Sequence, residues 1–126
     1  PYHTALAGLA GRQSSTIIVS VHSFTPQLRG RPMRPWHVGL LYAADERLSR
    51  PLLTRLQRED DLCVGDNEPY GGHLAGDAIA RHAIAPQRPN ILIEIRNDLI
   101  GTEPEQSAWA ERLAPMLTEA AETAGV

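Results

Sequence analysis

The sequence predicts an α/β domain with a largely buried sheet covered by helices on both faces, and three observations support this. Four short runs rich in β-branched or aliphatic residues recur at 16–22, 37–42, 61–65 and 90–96. Apolar residues elsewhere recur at helical spacing, as at Leu48, Leu52, Leu53 and Leu56, and later at Trp109, Leu113 and Leu117. The two kinds of segment alternate, and a sheet interleaved with amphipathic helices buries both only in a layered α/β arrangement. No internal repeat, low-complexity stretch or boundary divides the 126 residues, so they read as one domain.

The elements follow in order. Residues 2–10 are rich in Ala and Leu and predict a short helix stopped at Gly11. The run 16–22 is too short for a helix and predicts a buried strand ending at His22. Pro26, Gly30, Pro32 and Pro35 exclude regular structure from 23 to 35, and a loop of that length in a small domain leans towards function. A second strand follows at 37–42. Asp45 is placed to cap a helix running to Arg58, and a brief third strand is expected at 61–65. After the loop 66–73, Asp77 starts a helix to about Ile84, fenced off by Pro86 and Pro89. Asn90 to Arg96 is the clearest strand, and 103–124 is an amphipathic helix.

Composition excludes several classes of function. There is no lysine, the 12 arginines are scattered among 15 acidic residues, and the net charge is −3. A nucleic-acid surface needs clustered cations to displace counterions, so none is expected. No apolar run approaches the ~20 residues of a membrane span. A single cysteine, Cys63, excludes an internal disulfide framework, and a cytoplasmic, reducing setting is the expectation. In a short strand without basic neighbours, Cys63 reads as a small hydrophobe. Ser23 lacks the GxSxG elbow of a serine hydrolase.

Ligands of α/β sheets gather beyond the carboxyl ends of strands, and three of the four predicted strands lead there into polar residues. Glu94 is the most informative. It lies between Ile93 and Ile95 in an otherwise apolar strand, on the same face as Arg96. A buried carboxylate is costly unless paired or metal-bound, so Glu94 reads either as a base or as half of an ion pair with Arg96. His22 at a strand end reads either as a ligand for a divalent metal or as a structural residue. No HExxH, HxH or CxxC spacing accompanies it. Tyr70, in the GDNEPY loop at 65–70, is placed to steady an oxyanion, and the same residues are ordinary turn formers. Arg34 could clamp a carboxylate or lie fixed at the surface. His37, His73 and His82 are weaker candidates, with backbone bonding, loop position and helix packing as their plain readings.

Taken together, VHSFTP at 21–26, RPWHVGLLY at 34–42, VGDNEPY at 64–70 and IEIRNDLI at 93–100 resemble, in order and interval, the successive motifs of the N-formylglutamate amidohydrolase family. Trp109-Ala110 agrees as well. The resemblance implies a phosphorylase/hydrolase-like fold and zinc-dependent hydrolysis of an N-acyl amino acid such as N-formylglutamate. It implies His22 as a zinc ligand and Glu94 as the general base that passes a proton from water to the leaving amine. Arg34, Tyr70 and Arg96 would then bind the substrate or its tetrahedral intermediate. Family members are about twice as long, and their N-terminal half carries His-containing motifs that residues 1–20 lack. The chain is therefore expected to be the C-terminal portion of an incomplete domain, its site completed by a missing N-terminal half or within a homo-oligomer. The alternatives are a non-catalytic module that binds a small dicarboxylate, and an inactive fragment.

Overall fold

The computed structural model describes residues 1–71 and 75–126, so His73 lies outside the described residues. Four strands form one sheet: β1 (Ile18–Phe24), β2 (Val38–Leu41), β3 (Val64–Asp66) and β4 (Asn90–Arg96). Their order is β1-β4-β2-β3. β1 runs parallel to β4, β2 parallel to β3, and the two pairs meet antiparallel where β2 joins β4. The three long helices are α1 (Tyr2–Ala10), α2 (Ser49–Leu56) and α3 (Glu103–Ala124).

The core lies on one face of the sheet. Ile91, Ile93 and Ile95 of β4 and Val38 and Leu40 of β2 pack there with Leu48, Leu52, Leu53 and Leu56, and with Leu113, Met116 and Ala120 of α3. Period-2 alternation in the strands and i, i+3, i+4 spacing in the helices produce this layer. α2 and α3 therefore share one face rather than dividing between two, and α1 packs on the segment around His82.

α1 ends at Gly11 and α3 spans 103–124, as the sequence predicts. α3 opens with a capping box in which the Thr102 N–H and hydroxyl both donate to Glu105, at 2.8 and 2.9 Å. Other boundaries differ, each for a local reason. α2 does not start at an Asp45 cap, because that carboxylate accepts from the Arg47 N–H at 3.1 Å and binds the Arg47 guanidinium. β3 begins at Val64 because Asp61 is drawn to Arg112 of α3 and the Cys63 N–H donates to His37 Nδ1 at 2.7 Å. His37 thus bonds backbone, as its plain reading holds. The predicted helix from Asp77 widens into a π-helical turn over Ala80–Ile84, with the Ala85 N–H reaching back five residues to the Ala80 carbonyl. Asp77 Oδ1 accepts the Ala80 N–H at 2.7 Å. β1 runs two residues past His22, which therefore lies within the strand.

Antiparallel joining has a consequence for the site. Val38, the start of β2, pairs with Ile95, so the carboxyl ends of β1 and β4 lie beside the amino ends of β2 and β3. The loop after β3 consequently leaves from the opposite end of the sheet. The expected convergence of three strand ends holds for β1 and β4 only.

Candidate active site

Glu94 lies on the sheet's second face, opposite the isoleucine core. It is 4% exposed, in register with His22 on β1 and Gly39 on β2. Residues in register on adjacent strands point to the same face, about 5 Å apart at the backbone. The imidazole and the carboxylate that the sequence singles out are therefore neighbours on one side of the sheet, with His22 exposed at its rim.

Tyr70 reaches this face by folding back over it. Asn67 starts the return: its backbone is left-handed (φ +53°), a conformation Asn tolerates, its N–H donates to the Leu40 carbonyl, and its Oδ1 accepts the Tyr42 N–H, both at 3.0 Å. Asp66 accepts the Tyr42 hydroxyl at 2.5 Å. The chain then lies against two glycines. A Cβ on Gly39 would stand 2.0 Å from the Glu68 carbonyl oxygen, and one on Gly65 would stand 2.8 Å from it. Only glycine admits so close an approach of backbone to sheet. Past the cis Glu68–Pro69 peptide, the Tyr70 hydroxyl donates to Glu94 Oε1 at 3.0 Å. Desolvation raises the Tyr70 pKa above its ordinary 10.0, and the Glu94 charge and hydrogen bond raise it further, so the phenol stays protonated as a donor. Glu94 Oε2 has no hydrogen-bond partner among the described residues.

Arg34 closes the site on the β1 side. Its guanidinium stands 5.8 Å from the Phe24 ring centre and 5.9 Å from that of Tyr70, and one nitrogen donates to the Thr25 carbonyl at 3.0 Å. No carboxylate pairs with it among the described residues. The loop 25–34 that delivers it is ordered by Gln27, which bridges to Met33 and donates from its side chain to the Arg31 carbonyl at 2.8 Å. Arg96 is differently placed. Its Nε donates to Asp98 at 2.8 Å and its Nη1 to the carbonyls of Arg34 and Trp36, at 3.3 and 3.5 Å. It faces the same side as Glu94 but forms no ion pair with it, so the structural pairing considered for these two residues is not what the structure shows.

Among the described residues no group of three or more His, Cys, Asp or Glu side chains could hold a metal ion. His22 stands in register with Glu94, whose Oε2 lacks a partner among the described residues, and no further His, Cys, Asp or Glu there completes a metal-binding group. Sequence reasoning missed two features. The glycine pair is visible in the sequence as VGL and VGD, although its purpose emerges only from the register. The His3–His82 contact, 2.9 Å between ring nitrogens, joins residues 79 apart and has no local signature.

A crystal structure of the gene product Atu2144 from Agrobacterium tumefaciens superimposes with a TM-score of 0.87 at 34% identity, covering 100% of this chain and 51% of that one. The chain thus spans about half the length of that protein. No curated protein matches. No helix among the described residues is long and apolar enough to cross a membrane. The family model for N-formylglutamate amidohydrolase matches residues 1–101, and the chain belongs to that family.

Proposed function

We propose that the protein carrying this chain hydrolyses the amide bond of an N-acyl amino acid, N-formylglutamate first among them, to give glutamate and formate. The observation that supports this reading is the Glu94 carboxylate: nearly buried, with one oxygen held by the Tyr70 phenol, the other without a partner among the described residues, and His22 in register beside it. A zinc ion, when bound, supplies Lewis-acid polarisation of the acyl carbonyl and a more acidic water. His22 would be one of its holders. A catalytic zinc takes about three protein ligands, so in this reading the others come from outside the described residues.

The chain's own residues then divide the work. Tyr70 fixes Glu94 Oε1, which leaves Oε2 to take a proton from the attacking water as the C–O bond forms. Oε2 returns that proton to the amide nitrogen as the C–N bond breaks, so Glu94 ends unprotonated and the amine leaves neutral. Arg34, with no carboxylate partner among the described residues, binds a substrate carboxylate. Arg96 anchors the backbone that presents Arg34 and so acts on the substrate through it.

The test is formate release from N-formylglutamate, with zinc supplied, for the wild type and Glu94→Gln. Loss of a general base lowers the rate by about 10²–10⁴-fold. A Glu94→Gln variant with the wild-type rate overturns the reading.

A further inference from the structure

α1 is held in place by little apolar packing. Of its nine residues only Ala10 is buried, while Tyr2 and Leu9 are 64% and 54% exposed. A helix this short is marginal in water without a partner. Its partner is the π-helical turn at Ala80–Ile84, where His3 meets His82. His3 is exposed and His82 is buried, so the turn carries the enclosed half of the contact.

The two rings meet in one particular way. His3 Nδ1 lies 2.9 Å from His82 Nε2, the ring centres stand 5.2 Å apart and the planes differ by 24°. That centre separation matches the nitrogen separation plus one ring radius at each end. Both nitrogens therefore lie close to the line joining the centres, and the rings sit end to end rather than one above the other. Such alignment takes a single proton, given by one nitrogen and received by the lone pair of the other. A zinc ion in line between two imidazoles needs about 4 Å, twice a zinc–nitrogen bond, so the separation fits a proton and not a metal.

Proton count then decides whether the contact persists. Neutral rings offer one donor and one acceptor, and a single added proton still leaves one lone pair. With both rings charged, two N–H groups face each other and neither accepts. The surroundings do not relieve that state. Arg81 and the Pro1 amino group, both cationic, act on His3 together with His82. The Arg88 guanidinium donates to the His82 carbonyl at 3.0 Å, and the Tyr2 ring stands edge-on to His3 at 5.2 Å. Asp77, ahead of the turn, accepts the Ala80 N–H. The His3 pKa accordingly lies below its ordinary 6.5, through desolvation first and then through Arg81, His82 and the Pro1 amino group. A base depressed in the folded state contributes stability that is full above 6.5 and is lost as the pH falls from there through the lower folded value.

We propose that His3 and His82 form a proton-gated latch, which holds α1 on the turn at Ala80–Ile84 while either facing nitrogen is unprotonated and releases it when both are charged. The latch is separate from the hydrolysis proposed above and is read without it.

The experiment follows the chain by NMR from about pH 7.5 to 4.5, reading imidazole nitrogen shifts for the protons and backbone shifts of 2–10 for the helix. Near pH 7.5 the expected result is one protonated and one bare nitrogen at His3 Nδ1 and His82 Nε2. Below 6.5 the α1 signals should move to coil positions while those of β4 stay. The docking equilibrium should weaken by roughly tenfold between about pH 7 and 5. His3→Asn keeps a side chain that gives or accepts a hydrogen bond without titrating, so α1 should then stay docked to about pH 5. The idea is overturned by two bare or two protonated facing nitrogens near pH 7.5, or by α1 signals that do not move by about pH 4.5. It is equally overturned by β4 signals that move together with those of α1, or by His3→Asn releasing α1 at the wild-type pH.

Discussion

The two faces of β4 carry opposite kinds of residue. Ile91, Ile93 and Ile95 point into a layer shared with α2 and α3 and are at most 5% exposed. Leu92, Glu94 and Arg96 point the other way, where the Tyr70 phenol of the returning loop and backbone carbonyls meet Glu94 and Arg96 and His22 lies in register. One strand thus serves stability and chemistry at alternate positions. Packing at the odd positions holds the even ones still without sharing their chemistry, which makes neighbours in sequence separable by mutation.

The sharpest way to break that comparison uses adjacent residues. Ile93→Ala opens a cavity in the core and should cost about 2–5 kcal/mol of stability, seen as a lower denaturant midpoint, while the molecules still folded keep their rate. Glu94→Gln should do the reverse. Its rate falls by the factor given above, and its stability stays within about 1 kcal/mol or rises, because a carboxylate oxygen without a partner among the described residues is replaced by a neutral amide. Equal destabilisation by both substitutions would make Glu94 a structural residue and remove the distinction between the faces.

A second pair asks whether the loop return is what makes the catalytic face. At Gly39 an added Cβ meets the Glu68 backbone, so Gly39→Ala should cost about 1–3 kcal/mol and push Tyr70 away from Glu94, with a further loss of activity. Gly8 in α1 has nothing within 4 Å of an added Cβ. Gly8→Ala should stabilise by about 0.4–1 kcal/mol with the rate unchanged. Thermal melts and formate release read both. If Gly39→Ala behaves like Gly8→Ala, the glycine slot does not position Tyr70.

Legibility in the sequence follows the range of the interaction. β4 and α3 match their predicted bounds because each is set by its own residues, through alternation in one and a Thr102/Glu105 cap with helical spacing in the other. Glu94 stood out because a lone carboxylate among isoleucines is anomalous at any register. Asp45 misled because its cap signal is local, whereas the Arg47 side chain that claims it reaches back from the following turn. The sheet order was not legible, since no local pattern says that β2 joins β4 antiparallel. The loop that holds Tyr70 consequently crosses the sheet face, a path that its turn residues do not reveal. Arg96 was legible as a site-facing residue, but its engagement with Asp98 and with carbonyls some 60 residues away was not.

The smallest effect concerns the hydroxyl that ties the loop to the strand. Tyr70 is 45% exposed, so Tyr70→Phe should change stability by less than about 1 kcal/mol. The rate should fall about tenfold or less, because Glu94 keeps its burial and loses only the donor on Oε1. Its pH signature is more telling than its size. A phenol whose pKa is raised in the folded state contributes stability that is full below its unfolded value of 10.0 and is lost as the pH climbs through the higher folded value. Tyr42 behaves alike, its pKa raised first by the hydrogen bond to Asp66 and then by desolvation. The wild type should therefore lose stability above pH 10, and Tyr70→Phe should lose less, with Tyr42 still titrating. Denaturant midpoints measured from pH 8 to 11.5 separate the cases: parallel alkaline limbs in the two proteins would mean that the Tyr70 hydroxyl does not bond Glu94 in the folded chain.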